Sequence, residues 1–162
     1  MRTAHKIMRI AYKVLAYLVA AEVAVQAMVV VWFIAGLGKW LDSGGVFDKA
    51  AMESWAPLFP EVAGIMVHFN NGLFVIPGLA LLLLIISFFT KVRGAIRWAV
   101  VVFVLVIVQV QLGGLGQDFP LAGALHGLNA LALFGMAIYA GRRLRAVAVG
   151  VEQPEARAAT PV

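Results

Sequence analysis

Two histidines begin the same short pattern in this chain. The segments His68–Leu73 and His126–Leu131 both read His-x-x-Asn, then a small residue, then Leu. Each histidine lies a few residues inside a long apolar run, where an ionisable side chain is costly and usually functional. Because imidazole is a common metal ligand, the repeated pattern predicts two equivalent histidines that serve one site.

The absence of cysteine narrows the chemistry of that site. It excludes disulfides, thiolate-bound metals and covalent haem attachment through Cys-x-x-Cys-His. Zinc and copper usually take three or four ligands, and no third ligand lies near the two histidines at matching depth. The remaining histidine, His5, lies in a basic N-terminal segment and is interpreted as a surface residue.

Haem b held by two neutral imidazoles requires no other ligand and fits the interior of a four-helix bundle. We therefore expect His68 and His126 to be the metal ligands of one haem b. The simpler alternative is that both histidines form hydrogen bonds across the bundle with Asn71 and Asn129.

The composition identifies the medium that surrounds the helices. Of the 162 residues, 63% are hydrophobic and only 13% are charged, and the mean hydropathy is +0.95. Soluble domains are nearer half apolar and a quarter charged, so the expected partner is the lipid bilayer. The net charge of +5 fits an anionic membrane surface, and no nucleic-acid partner is expected.

Four apolar runs are each long enough to cross a hydrocarbon core of about 30 Å. The fold class is therefore predicted as all-α, a polytopic membrane four-helix bundle. Pro77-Gly78 predicts a kink in the second span, and residues 47–55 predict a short interfacial helix. The predicted organisation is an N-terminal segment 1–13, a transmembrane domain 14–145 with spans at about 14–38, 61–89, 96–115 and 121–140 and a loop at 39–60, and a disordered tail 146–162.

The basic residues predict the orientation. The N-terminus, the turn at 90–97 and the tail hold 11 of the 13 Lys and Arg residues, and five of the eight acidic residues lie on the other side. By the positive-inside rule, both termini are cytoplasmic and the loop 39–60 is extracytoplasmic. The Ala, Gly, Val and Arg bias favours a bacterial protein, and hence the bacterial inner membrane.

A second repeat supports a duplicated architecture. Ala35–Gly38 is echoed by Gly113–Gly116, and the alignment of these segments and of the two histidine patterns gives two tandem helical hairpins. Helices one and three run outward, so the hairpins are parallel repeats about an axis along the membrane normal. This symmetry places both histidines at equal depth, roughly 10 Å below the outer surface.

The residues beside the histidines on each helix face are small or polar. Small residues leave room for a flat group, and they also let helices approach closely. The two asparagines either orient the histidines and a haem propionate or simply join helices. Glu22 is interpreted as a proton-relay or quinone-site acid, or as a neutral carboxyl bonded to Gln26 or to a partner on another helix, and it is expected to lie away from the haem. The predicted site comprises His68, His126, Asn71, Asn129, Gly64, Gly72, Gly127 and Ala130.

These features resemble one half of a haem A synthase, and more closely a small bacterial family of four-helix membrane proteins with that half-fold. The resemblance covers about residues 10–145 and implies that His68 and His126 are axial haem ligands beneath the loop 39–60. The chain lacks the synthase's loop cysteines. It also has Ile65 and Gly123 where the synthase has a glutamate, which argues against haem hydroxylation.

With both axial positions of the iron filled, electron transfer is the expected role. A quinol or the subunits of a membrane redox complex are the expected partners. One alternative is a cofactor-free accessory or scaffold subunit of a membrane complex. A further alternative is a haem-modifying or haem-handling enzyme related to haem A synthase.

Overall fold

The computed structural model describes residues 2–53 and 57–157, and all regular structure in these ranges is helical. Four helical stretches are long and apolar enough to cross a membrane, which confirms the all-α class and the predicted number of spans. A π-helical turn, Asn71–Val75, joins α3 to α4. These three segments form the second of the long helical stretches, which is called helix two and is distinct from the short helix α2. The helices are α1 Arg2–Asp42, α2 Lys49–Glu53, α3 Val62–Asn70, α4 Ile76–Ser87, α5 Ala95–Leu115 and α6 Pro120–Arg157.

The four long helical stretches pack in a ring. α1 packs against α6 on one side and against α3 and α4 on the other, and α5 packs between α4 and α6. Stretches that are consecutive in the chain are therefore neighbours in space, and α1 lies diagonally opposite α5. The ring has a terminal half, which comprises residues 2–23, 76–106 and 133–143. Its loop half comprises residues 24–42, 62–75 and 107–132.

The buried apolar core lies in the terminal half. Small and branched side chains dominate it, so the helices approach closely, as is usual where lipid rather than water surrounds a bundle. Its fully buried large side chains come from all four helical stretches and include Tyr12, Leu83, Val102 and Leu133. The cluster consists of Tyr12, Leu15, Ala16, Val19, Ala20, Val23, Ile76, Ala80, Leu83, Ala95, Ala99, Val102, Val106, Leu133, Ala137 and Ala140.

Helix α1 extends beyond the predicted span 14–38 at both ends. The repeated segment Ala35–Gly38, at the end of the predicted span, lies within this helix. A Cβ on Gly36 would collide with the side chain of Glu61, so this glycine allows the start of helix two to pack closely against α1. Close packing, and not a change of chain direction, explains the glycine.

Helix α6 continues to Arg157 through residues for which a disordered tail is expected. Seven of the twelve residues 146–157 are alanine, glutamate, glutamine or arginine, and all four residue types are good helix formers. Residues 158–162 of the predicted tail lie outside the described part of the chain.

Helix two is interrupted just before Pro77 and not at Pro77-Gly78. In the interruption the backbone N–H of Ile76 bonds the carbonyl of Asn71, five residues earlier. Proline has no N–H to offer the preceding turn, and π turns are a recognised way in which a helix accommodates such a defect. Gly78 lies inside the regular helix α4.

The loop 39–60 folds back on the end of α1. The ring of Phe59 is buried and stacks on Phe33 and Trp40, with ring centroids 5.8 Å and 5.4 Å apart. The interfacial helix expected at 47–55 is represented by the shorter α2, which has no buried residue. Residues 54 and 55 of the expected helix lie outside the described ranges, and a capping role for the loop stays a prediction.

The turn between α4 and α5 is fastened to α1. Arg9 Nε donates to the carbonyl of Thr90 at 3.2 Å, and the Tyr12 hydroxyl donates to the carbonyl of Ala95 at 3.1 Å. Lys91 and Gly94 have positive φ angles of 54° and 87°, a backbone region in which glycine is unstrained. These contacts fix the terminal end of the bundle.

Candidate functional site

The structure brings the imidazole rings of His68 and His126 together in the loop half of the bundle. Their ring centroids are 6.0 Å apart, and the ring planes are inclined at 62°. One ring comes from α3 and the other from α6, and both are partly buried. The two histidines thus face each other from diagonally opposite helices.

His126 is held by a glutamine on the neighbouring helix α5. Its Nδ1 lies 3.0 Å from the backbone carbonyl oxygen of Gln109, and its Nε2 lies 3.1 Å from the side-chain nitrogen of the same residue. A carbonyl accepts but cannot donate, so the ring proton belongs on Nδ1 and Nε2 keeps a lone pair. Gln109 therefore defines both the tautomer and the direction of the ring.

Asn129 supports this arrangement from the same helix as His126. Its amide nitrogen donates to the Gln109 side-chain oxygen at 2.6 Å and to the carbonyl of Leu105 at 3.0 Å. Asn129 thus acts on His126 through Gln109. Gly113 supplies the space for the ring, because a Cβ there would lie 3.1 Å from two of its atoms.

His68 is also contacted by a glutamine, from helix α1. The Gln26 amide satisfies its neighbours when its nitrogen faces His68 and its oxygen faces Gly72. It then donates to Nδ1 of His68 at 2.5 Å and to the His68 carbonyl at 3.3 Å, and accepts from the Gly72 N–H at 3.0 Å. In a π turn the register of backbone bonding shifts by one residue, and Gln26 bonds two backbone groups where that shift begins.

Glu22 belongs to the same polar region. The Asn71 amide donates to a carboxylate oxygen of Glu22 at 2.5 Å. The expectation that Glu22 lies away from the histidines is therefore wrong, since its partner is three residues after His68 in the chain. Of the partners considered for this carboxyl, the structure favours an asparagine on helix two over Gln26.

The small residues of the predicted site lie in different surroundings. Gly64 is buried against α1, where a Cβ would lie 2.5 Å from the carbonyl oxygen of Val29, and Gly72 lies beside Gln26. Gly127 faces open space, and Ala130 packs against the terminal core. Gly64 and Ala130 therefore serve helix packing, whereas a side chain at position 127 would have open space around its Cβ.

The direct partners of the histidines, Gln26 and Gln109, were not in the predicted site. The sequence signal was present, because a glutamine in an apolar span is as unusual as a histidine. The positions of the glutamines in the sequence do not indicate that either of them lies beside a histidine in the fold. The two expected partners, Asn71 and Asn129, make no direct hydrogen bond to either ring in the described part of the chain.

The donor set limits the groups that this site can hold. Within the described ranges, no group of three or more His, Asp or Glu side chains is placed to hold a metal ion. A four-coordinate zinc site is thus unsupported, whereas two imidazoles match in number the two axial positions of a planar metal complex. Comparisons with family models, curated proteins and solved structures find no match to this chain.

Proposed function

We propose that this protein is a membrane-embedded, b-type cytochrome-like electron carrier with one haem b ligated by His68 and His126. The single observation that carries the proposal is the approach of the two imidazoles from opposite helices of the bundle, with centroids 6.0 Å apart. A metal–imidazole bond is about 2 Å long, so two imidazoles on opposite sides of one iron have ring centres roughly 6 Å apart.

The hydrogen bonds around His126 support the same assignment. The Gln109 carbonyl oxygen takes the Nδ1 proton of His126, so Nε2 is the nitrogen suited to a metal, as is usual when the other nitrogen donates to the protein. Gln26 donates to Nδ1 of His68, so the neutral His68 ring carries its proton on Nε2, and ligation through Nε2 requires the Gln26 amide to turn and accept from Nδ1. The side-chain nitrogen of Gln109 lies against Nε2 of His126 and has to turn away for ligation.

Electron transfer follows from the ligand set. When both axial positions are filled by protein, the iron has no open position for oxygen or substrate, and the haem exchanges electrons only. The apolar helices isolate such a centre from water. The synthase-like alternative, a haem-modifying or haem-handling enzyme, requires an exchangeable haem and turnover of it.

A cofactor-free scaffold is the second candidate, and one observation favours it. Every fully buried side-chain nitrogen or oxygen in the described ranges has a hydrogen-bond partner, so these buried groups require no cofactor to satisfy them. Hydrogen bonds between membrane helices contribute about 0.6 kcal/mol each on average. If the protein is a scaffold, the hydrogen bonds of His68 join α3 to α1, those of His126 join α6 to α5, and the protein is colourless.

A visible spectrum of the purified protein separates these functions. We expect protein from a haem-replete host to show a split, two-banded α/β spectrum on reduction, at one haem per chain. Because each histidine supplies one axial ligand, His68→Ala and His126→Ala should both lose that spectrum. His5→Ala is the matched control, since His5 lies at the N-terminal end of α1, and it should keep the spectrum.

The remaining outcomes are equally decisive. A colourless protein that also fails to take up added haem removes the cytochrome assignment and favours the scaffold. An unchanged spectrum in both alanine variants places the ligands elsewhere. Haem that is bound but released or chemically altered on turnover favours the haem-handling enzyme.

A further inference from the structure

A groove runs along the outer surface of the bundle between α5 and α6, in the loop half. Its volume is about 630 Å³, within the range of about 300–1,000 Å³ typical of small-molecule sites. The leucines that α6 contributes to it are exposed on the lipid-facing side. The groove is lined by Leu112, Leu125, Leu128, Asn129, Leu131 and Ala132.

Asn129 is the single polar residue in this lining. Its amide nitrogen is used by two inward bonds, to Gln109 and to the carbonyl of Leu105. No described side chain donates a hydrogen bond to its Oδ1. A fully buried Oδ1 would then be a buried oxygen without a partner, and the described ranges contain no such atom. The Oδ1 atom is therefore accessible, and it is an acceptor at the groove.

The depth of Asn129 makes this acceptor unusual. It lies nine residues after Pro120, the first residue of α6, or roughly 14 Å along the helix axis. At that depth a membrane offers little water, and an acceptor without a donor is unfavourable. A suitable ligand must bring a hydrogen-bond donor through the lipid and must otherwise be apolar.

Asn129 is also connected to the histidine pair. Its amide bonds the side-chain oxygen of Gln109, and Gln109 bonds both ring nitrogens of His126. Hydrogen bonds therefore connect the lipid-facing groove, through Asn129 and Gln109, to His126, the candidate haem ligand.

We propose that this groove binds a membrane quinol, with one hydroxyl donating to Oδ1 of Asn129 and the apolar tail lying along the leucines. A quinol carries the required donor and partitions into lipid. An acyl chain has no donor, and a phospholipid headgroup does not reach this depth. As an electron-delivery site the groove rests on the proposed cytochrome function, whereas binding itself requires no haem.

The test measures binding in nanodiscs with haem-free protein from a haem-deficient host. A photoreactive azido-benzoquinol should label residues of the groove, located by mass spectrometry. A short-chain benzoquinol should compete with the label better than its dimethyl ether, which has no hydroxyl to donate. Loss of one neutral hydrogen bond predicts affinity weaker by about five- to ten-fold.

The variants separate the hydrogen bond from the apolar contact. Asn129→Leu should bind quinol and dimethyl ether equally, and Leu128→Trp should block labelling by filling the groove. Asn70→Leu is the matched control, because Asn70 is exposed and bonds only the Met66 carbonyl of its own helix, and it should leave binding unchanged.

Two results would overturn the inference. They are labelling outside the groove and equal binding of quinol and ether to the unaltered protein. Because the assay uses haem-free protein, its failure leaves the spectral test of the cytochrome intact. A colourless protein that still binds quinol at Asn129 would conversely retain the groove and lose the electron carrier.

Discussion

In the terminal half of the bundle, the helices meet through buried alanine, valine and leucine side chains. In the loop half they meet through glutamine, asparagine and histidine. Gln26 is buried there, whereas His68, Gln109, His126 and Asn129 are only partly buried. The same four helical stretches form both halves. Their difference therefore lies in side-chain chemistry and not in topology.

The contrast shows two ways of holding the same helices together. Lipid is as apolar as leucine, so a bundle surrounded by lipid gains its stability mainly from close packing and from hydrogen bonds between helices. The terminal half supplies the packing. The loop half concentrates polar groups around His68 and His126, where side chains bond one another.

The largest expected effect is the loss of a core side chain in the terminal half. Leu133 is 1% exposed, so Leu133→Ala should reduce the free energy of unfolding by about 2–4 kcal/mol through lost packing. Unfolding in mixed detergent micelles, followed by circular dichroism, measures the change. The control is Leu131→Ala, because Leu131 is 71% exposed and should change stability little. Equal losses would mean that the terminal half is not the packed core.

A smaller effect is expected where α3 meets α1 in the loop half. A methyl group on Gly64 would overlap the Val29 carbonyl, so Gly64→Ala should reduce the free energy of unfolding by about 1–3 kcal/mol. The same unfolding experiment in mixed detergent micelles measures this change in the free energy of unfolding. Gly78→Ala is the control, since nothing lies within 4 Å of a Cβ at that position. If both variants are equally stable, α3 does not pack closely on α1.

The smallest effect on stability is expected for the glutamine that holds His126. Gln109→Leu removes its side-chain bonds to His126 and Asn129 and should reduce the free energy of unfolding by roughly 0.5–1.5 kcal/mol. It should also change the ¹⁵N resonances of the His126 ring in an NMR spectrum.

The neighbouring Gln111 is exposed, so Gln111→Leu should leave both stability and the ring resonances unchanged. If Gln109→Leu leaves the ring resonances as they are, Gln109 does not position His126.

Much of the fold could be predicted from the sequence, because apolar length alone determines which segments can cross a membrane. The meeting of His68 and His126 was expected from the similarity of their segments. The internal repeat of two helical hairpins stays a prediction. Gln26 and Gln109, which contact the histidines, do not occupy equivalent positions in the two hairpins. Under the pairing of Gly36 with Gly114, neither Gln26 nor Gln109 lies opposite a glutamine.

The remaining features depend on contacts between helices. The π turn at Asn71–Val75 involves Gln26, a residue 45 positions earlier than the start of the turn, and such a pairing leaves no local pattern. The continuation of α1 through Gly36 depends on Glu61. The bond between Glu22 and Asn71 likewise requires knowledge of which helix faces lie together.

The π turn also sets the rotational phase of helix two. Gly64, His68, Gly72, Ile76 and Ala80 are spaced by four residues, a step that a regular helix of 3.6 residues per turn cannot keep on one side. One wider turn absorbs part of that excess. Removal of a single residue from it would restore regular i to i−4 backbone bonding, and Gln26 would lose the two backbone groups that it bonds there.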